Sequence, residues 1–251
     1  MAGSAESLAD AGFGPWSVLV AASGAVLAGV AAAWAGELIG DASAVAALVG
    51  FAVGATVIGW YWPRHVGRHR RTFGAANRVT LLRVVGTSWA AALSTESVVA
   101  GLPPPGQLLL VALGAGCLVL DGVDGRLARS RGESSAFGAR FDMETDAALL
   151  LSLSVAVAAV TPAGWWVLAI GGLRYLYVGA SWVVPALRLP LPFRYVRKVI
   201  AVVQGVVLLL TLALDMVSGI PDELSGLALA GALAALCWSF GRDVVWQWRH
   251  R

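Results

Sequence analysis

The chain has 251 residues, of which 58% are hydrophobic and 13% charged, with a formal net charge of +3. Soluble domains carry roughly 25% charged residues, so an ordinary water-soluble domain is excluded. The arginines fall in short clusters between apolar runs and form no single basic stripe, which reads as membrane orientation and not as a nucleic-acid surface. Both cysteines, Cys117 and Cys237, lie inside apolar runs, where they read as small buried hydrophobes and supply neither a disulfide framework nor a zinc-knuckle spacing.

Eight apolar segments follow in chain order, near 16–36, 43–62, 79–100, 107–127, 137–160, 164–185, 197–216 and 225–247. About 20 apolar residues cross the hydrocarbon core as a helix, so the expected fold is all-α: a polytopic membrane bundle of about eight transmembrane helices. Residues 1–15 contain Glu6 and Asp10 but no Lys or Arg, so the first run is expected to be a retained helix and not a cleaved signal. Tryptophans such as Trp16, Trp34, Trp60, Trp62, Trp165, Trp182 and Trp248 lie near segment ends, where indoles favour the headgroup interface.

The first two segments form a hairpin (1–62) joined by "GELIGD", whose role the sequence does not give. A basic stretch, "PRHVGRHRRTFGAANR" (63–78), reads as a cytoplasmic linker or an interfacial helix against anionic headgroups. His65 and His69 are four apart, as zinc ligands sometimes are, yet their arginine neighbours favour headgroup contact. Residues 79–251 form the remaining six-helix body.

Positive loops stay cytoplasmic. Arg64, Arg68, Arg70, Arg71 and Arg78 occupy the second loop, Arg126, Arg129, Arg131 and Arg140 the fourth, Arg188, Arg194, Arg197 and Lys198 the sixth. The alternate loops carry only acidic charge, and Arg242, Arg249 and Arg251 mark the tail. An even number of spans then puts both termini in the cytoplasm of a bacterial-type plasma membrane.

The fourth loop is flanked by acid. Asp121 and Asp124 end the fourth segment three residues apart, and Asp142 and Asp146 begin the fifth four apart. Both spacings put side chains on one helix face, and a short loop makes the two helices antiparallel neighbours. Four facing carboxylates repel unless a cation neutralises them, and an all-oxygen donor set suits Mg²⁺ or Mn²⁺. Four such groups can bridge two ions, an arrangement that polarises a phosphoryl group. Gly125, Ala128 and Gly138 keep the helix faces thin enough for a nucleotide, and Arg129 offers a planar donor fork to a pyrophosphate. Capping or simple solvation would account for Asp142 near a helix start, but poorly for Asp121, which follows "CLVL".

This stretch reads D-x2-D-G-x2-A-R-x8-G-x3-D-x3-D over Asp121, Asp124, Gly125, Ala128, Arg129, Gly138, Asp142 and Asp146. It resembles the signature of the CDP-alcohol phosphatidyltransferase family at every defining position. "NRVTLLR" (77–83) resembles the segment that opens the family's six-helix body. The resemblance implies displacement of CMP from CDP-diacylglycerol, or a related CDP-alcohol, by a polar alcohol acceptor at the bilayer. Asp121, Asp124, Asp142 and Asp146 would hold two ions, with Asp146 also the general base. Thr80, Gly125, Ala128, Arg129 and Gly138 would line the nucleotide site. Family members often pair, so a homodimer is the expectation.

The acceptor is written elsewhere. Arg174 lies within the sixth segment, where a cation is costly and usually has a functional partner. With Arg194 and Lys198 it is a candidate pocket for a phosphorylated acceptor; topology alone, or an ion pair with an aspartate for Arg174, is the alternative. "RKVIAVVQG" (197–205) resembles a Lys-plus-Gln pattern of phosphatidylglycerophosphate synthases, whereas "FDMETDA" departs from their "LDPxADK" wording. Three other readings compete: the same chemistry with a lipid or unphosphorylated polyol acceptor, as in cardiolipin synthesis, a cation- or proton-coupled transporter, and an inactive scaffold, against which the complete set of aspartates argues. A transporter predicts acids spread through the membrane depth and broken helices, against the single cluster seen here.

Overall fold

The structure is a computed structural model, and it describes residues 14–65, 73–192, 195–217 and 221–250. Among them are eight α-helices: α1 (Pro15–Ala35), α2 (Asp41–His65), α3 (Ala75–Val99), α4 (Pro104–Ser130), α5 (Ala136–Val160), α6 (Leu168–Val183), α7 (Tyr195–Asp215) and α8 (Asp222–Arg249). Two short 3₁₀ turns, Trp165–Val167 and Pro185–Arg188, flank α6. The all-helical bundle is as the sequence predicts. Residues 66–72 of the basic linker, His69 among them, lie outside the described residues, as does the side chain of His65.

Six helices (all but α3 and α6) are long and apolar enough to cross a membrane. At 16 residues α6 is short for a span, whereas α3 carries Asn77, Arg78, Arg83 and Glu96 among serines and threonines. The polar side chains of α3 turn inward: Thr80, Arg83, Thr87, Ser88, Ser94 and Ser97 are all buried. The outside of the protein is correspondingly apolar, with Val20, Leu176, Trp182 and Val183 among the exposed side chains, a surface that suits lipid and not water. Trp16, Trp34, Trp60, Trp165, Trp182 and Trp248 are exposed near helix ends, as interfacial indoles should be. Cys237 is also exposed, correcting the expectation of a buried thiol; Cys117 alone of the two is buried.

The chain divides into two compact units, one from the described residues within Met1–Ala92 and Gly116–Asp146, the other from Leu93–Ala115 and Ala147–Arg251. In the first, α1 closes on α2 through a Schellman turn. Leu38 N–H donates to Ala33 O at 2.8 Å and Glu37 N–H to Trp34 O at 3.0 Å. Glu37 takes the left-handed conformation (φ 56°) that glycine usually fills at this position. The Trp34 indole donates to Asp41 across the turn at 2.7 Å. The hairpin then packs on α3 at a glycine: a Cβ on Gly54 would stand 2.5 Å from Val84 Cγ1, so only glycine lets α2 approach so closely.

Trp62, at the end of α2, does not face outward as an interfacial indole would, contrary to the sequence reading. It is buried in an aromatic cluster, 5.1 Å from Phe137 and 5.4 Å from Phe73 between ring centroids. Phe137 stacks on Phe141 at 5.6 Å, one residue before Asp142. The extra hairpin thereby braces the first turns of α5.

In the second unit, α6 crosses α5 where a Cβ on Gly171 would meet the Leu151 backbone at 2.4 Å. Side-chain amides tie helices together there. Gln204 Nε2 donates to Ala232 O at 2.9 Å, and Gln107 Nε2 to Leu212 O at 3.0 Å. Gln247 Nε2 donates to Leu189 O at 2.7 Å and its Oε1 accepts from Tyr177 at 2.6 Å. Amide N–H groups paired in this way fix which carbonyls face which helix.

Candidate active site

The site begins with a turn. At the end of α4, Gly132 adopts φ 62°, Glu133 N–H donates to Ala128 O at 2.9 Å, and Gly132 N–H reaches Arg129 O at 3.5 Å. This is a second Schellman turn, now with glycine at its left-handed position. Three residues later Ser135 caps α5, its hydroxyl accepting from Gly138 N–H at 3.0 Å. The "RGESS" stop-and-start folds α5 back on α4, so that Asp121 and Asp124 meet Asp142 and Asp146.

At the centre stands a residue that sequence reasoning did not select. The Arg83 side chain, from α3, is fully buried and reaches all four carboxylates. Nη1 contacts Asp124 Oδ2 at 2.7 Å and also Asp142; Nη2 contacts Asp146 and lies 3.3 Å from Asp121 Oδ1. Each nitrogen thus bridges one aspartate of α4 and one of α5. Thr80, one turn earlier on the same face of α3, donates to Asp124 Oδ2 at 3.1 Å. A signal existed: Arg83 is a cation inside a segment read from sequence as membrane-spanning (79–100), where it demands a partner. The sequence reading applied that rule to Arg174 alone.

One guanidinium cannot neutralise four carboxylates; with all ionised, three negative charges remain. Ligand oxygens of Asp121, Asp142 and Asp146 lie within 4.8 Å of one another. Three hard oxygen donors so close, with surplus negative charge, fit a divalent ion of the Mg²⁺ or Mn²⁺ type.

Beside the carboxylates is a cavity of about 170 Å³. Its walls include Thr80, Gly125, Ala128, Arg129 and Gly138, which are all five residues expected to line a nucleotide site, together with Asp124 and Asp142. Gly138 is tight against its neighbours: a Cβ there would stand 3.1 Å from Asn77 Oδ1 and 3.2 Å from Ser135 Oγ. Asn77, Glu133, Ser134 and Ser135 also line the cavity, with Ala76 and Ala139, and none was singled out for this from sequence. Glu133 also has a structural task, accepting from Ala76 N–H at 3.1 Å and so capping α3.

Two of the three proposed acceptor residues lie among the described residues. Arg174 is half-buried on α6 and Lys198 is exposed in the first turn of α7, both within the second unit; Arg194 lies outside the described residues. Arg197 is committed to a pair with Asp243 at 3.3 Å.

An apolar-surfaced helical chain with six helices long and apolar enough to span a bilayer, an acidic centre and an adjoining cavity lined by polar residues defines an integral membrane protein. A model of the CDP-alcohol phosphatidyltransferase family matches residues 73–240. The chain belongs to this family, and is therefore a transferase of the class that moves a phosphatidyl group from a CDP-alcohol in phospholipid synthesis. No curated protein and no solved structure matches the chain at the significance required. The matched region leaves α1 and α2 outside it.

Proposed function

We propose that the protein transfers the phosphatidyl group of CDP-diacylglycerol to a hydroxyl of a small polar alcohol, phosphorylated alcohols included, and releases CMP. The reaction takes place at the cytoplasmic face, as the distribution of Lys and Arg indicates. The observation that carries this reading is the cavity whose wall joins the small-residue face of α4 and α5 to Asp124 and Asp142.

The chain's own groups divide the work. Gly125, Ala128 and Gly138 admit the nucleotide against backbone, and Arg129 directs its fork at the phosphates. Asp121, Asp124, Asp142 and Asp146 would hold two divalent ions, whose chemistry is to neutralise the pyrophosphate and make CMP a better leaving group. Asp146 takes the proton of the acceptor hydroxyl as that oxygen attacks the phosphorus bearing diacylglycerol, and the P–O bond to CMP breaks. Arg174, Arg194 and Lys198 are the residues proposed to select the acceptor.

Two parts of this assignment rest on the sequence pattern, the division into hairpin (1–62), linker (63–78) and catalytic body (79–251) and the cytoplasmic orientation, while a homodimer rests on the family resemblance. The direct test is CMP release from CDP-diacylglycerol with Mg²⁺ or Mn²⁺ across a panel comprising glycerol 3-phosphate, inositol phosphate, free polyols and phosphatidylglycerol. Turnover with one phosphorylated alcohol and none without acceptor is expected. Turnover with phosphatidylglycerol alone would move the assignment to cardiolipin-type chemistry, and ion flux in proteoliposomes without CMP would overturn it.

A further inference from the structure

We propose that Arg83 is a built-in counter-cation that occupies the positions divalent ions take, so that metal affinity is set by competition with its guanidinium. The inference rests on the metal-dependent reading above. Four observations carry it.

The guanidinium is the sole cationic side chain paired with these carboxylates among the described residues, and it touches all of them. Its two Nη atoms divide the four aspartates into two inter-helix pairs, Asp124 with Asp142 and Asp121 with Asp146. Two bridging ions between α4 and α5 would need oxygens from those same two helices. Approach is also asymmetric. The Arg83 side chain is fully buried, whereas those of Asp142 and Asp146 are 37% and 35% exposed, so an ion enters from the side opposite the arginine.

The physical consequence follows from charge. N–H donors already engage the oxygen lone pairs that an ion must use, and a fixed positive charge a few ångströms away repels it. The arginine keeps four carboxylates assembled when no ion is bound, at a cost in affinity for the ion. A side chain that served only to scaffold the aspartates would act in the opposite sense, since its removal would disorder them and weaken metal binding.

The experiment uses the full chain in nanodiscs at low ionic strength and mildly alkaline pH. Mn²⁺ binding is followed by loss of the free-ion EPR signal for wild type, Arg83→Gln and Arg83→Lys. Arg83→Gln is expected to bind Mn²⁺ at least about tenfold more tightly, as close charges in a protein site interact by more than that factor requires. Arg83→Lys keeps one point charge and loses the fork, so it should fall between Arg83→Gln and wild type. Melting temperature gives a second readout: the gap between EDTA and Mn²⁺ should be wider for Arg83→Gln than for wild type. If Arg83→Gln does not fold, the lysine variant carries the same test, with tighter binding than wild type expected. Equal or weaker Mn²⁺ binding in the folded variants would overturn the inference and leave the metal-dependent reading standing. No saturable Mn²⁺ binding in any of the three proteins would overturn that reading, and the inference with it.

Discussion

Arg83 and Asp124 meet at 2.7 Å with both side chains enclosed, which ties α3 to the acidic end of α4. Because Thr80 donates to the same Asp124 oxygen, α3 acts as a second wall of the site and not merely as a neighbouring span. The position of Asp124 is therefore fixed by two donors on one helix face.

Thr80→Val tests that wall. The substitution keeps the shape and removes the hydroxyl donor, a loss of about 1 kcal/mol at the usual net worth of one hydrogen bond. CMP release should fall about fivefold, with the elution profile in detergent unchanged. Unaltered kcat/KM would show that Asp124 needs no help from Thr80.

Gly138→Val tests the cavity. Its side chain would press on Asn77 and Ser135, whose oxygens lie 3.1 and 3.2 Å from a Cβ at that position. The KM for the CDP-linked donor should rise about tenfold, worth roughly 1.4 kcal/mol, with a smaller change in kcat. A change in acceptor KM alone would place the nucleotide elsewhere.

Glu133→Ala tests the α3 cap. Losing the acceptor for Ala76 N–H should cost about 1 kcal/mol and lower the melting temperature in detergent, while Glu133→Gln should retain most of it. Gly74→Ala should mimic the alanine variant, because its Cβ would meet Glu133 Oε2 at 2.6 Å.

Trp62→Ala tests the brace between hairpin and site. Emptying the aromatic cluster should cost about 3–5 kcal/mol, and Trp62→Phe should restore much of the stability. Since Phe137 and Phe141 lie beside Asp142, kcat should fall more than donor KM rises. A variant with a lowered melting temperature and wild-type kcat would confine Trp62 to folding.

What the sequence made legible is what is local. The three- and four-residue spacings, the short loop and the small residues of α4 and α5 are all read within one hairpin, whose four aspartates contact Arg83 and whose small residues line one cavity. Arg83 escaped because its role depends on α3 packing across both helices, a tertiary fact without a local pattern. Glu133 escaped for the same reason, since its partner Ala76 is 57 residues away. Trp62 and Cys237 were misjudged because position within an apolar run does not say which side of the helix faces lipid. The start of α3 at Ala75, inside the stretch read as linker, followed from weighing charge over helix continuity.

The central claim is cation-dependent release of CMP driven by Asp146. The measurement is CMP produced from CDP-diacylglycerol with the matching acceptor, by wild type and Asp146→Asn, each with EDTA and with restored Mg²⁺ or Mn²⁺. The account predicts turnover by wild type that EDTA abolishes and the ion restores, and none by a folded Asp146→Asn protein. Near-normal turnover by Asp146→Asn, or wild-type turnover that persists in EDTA, would contradict it.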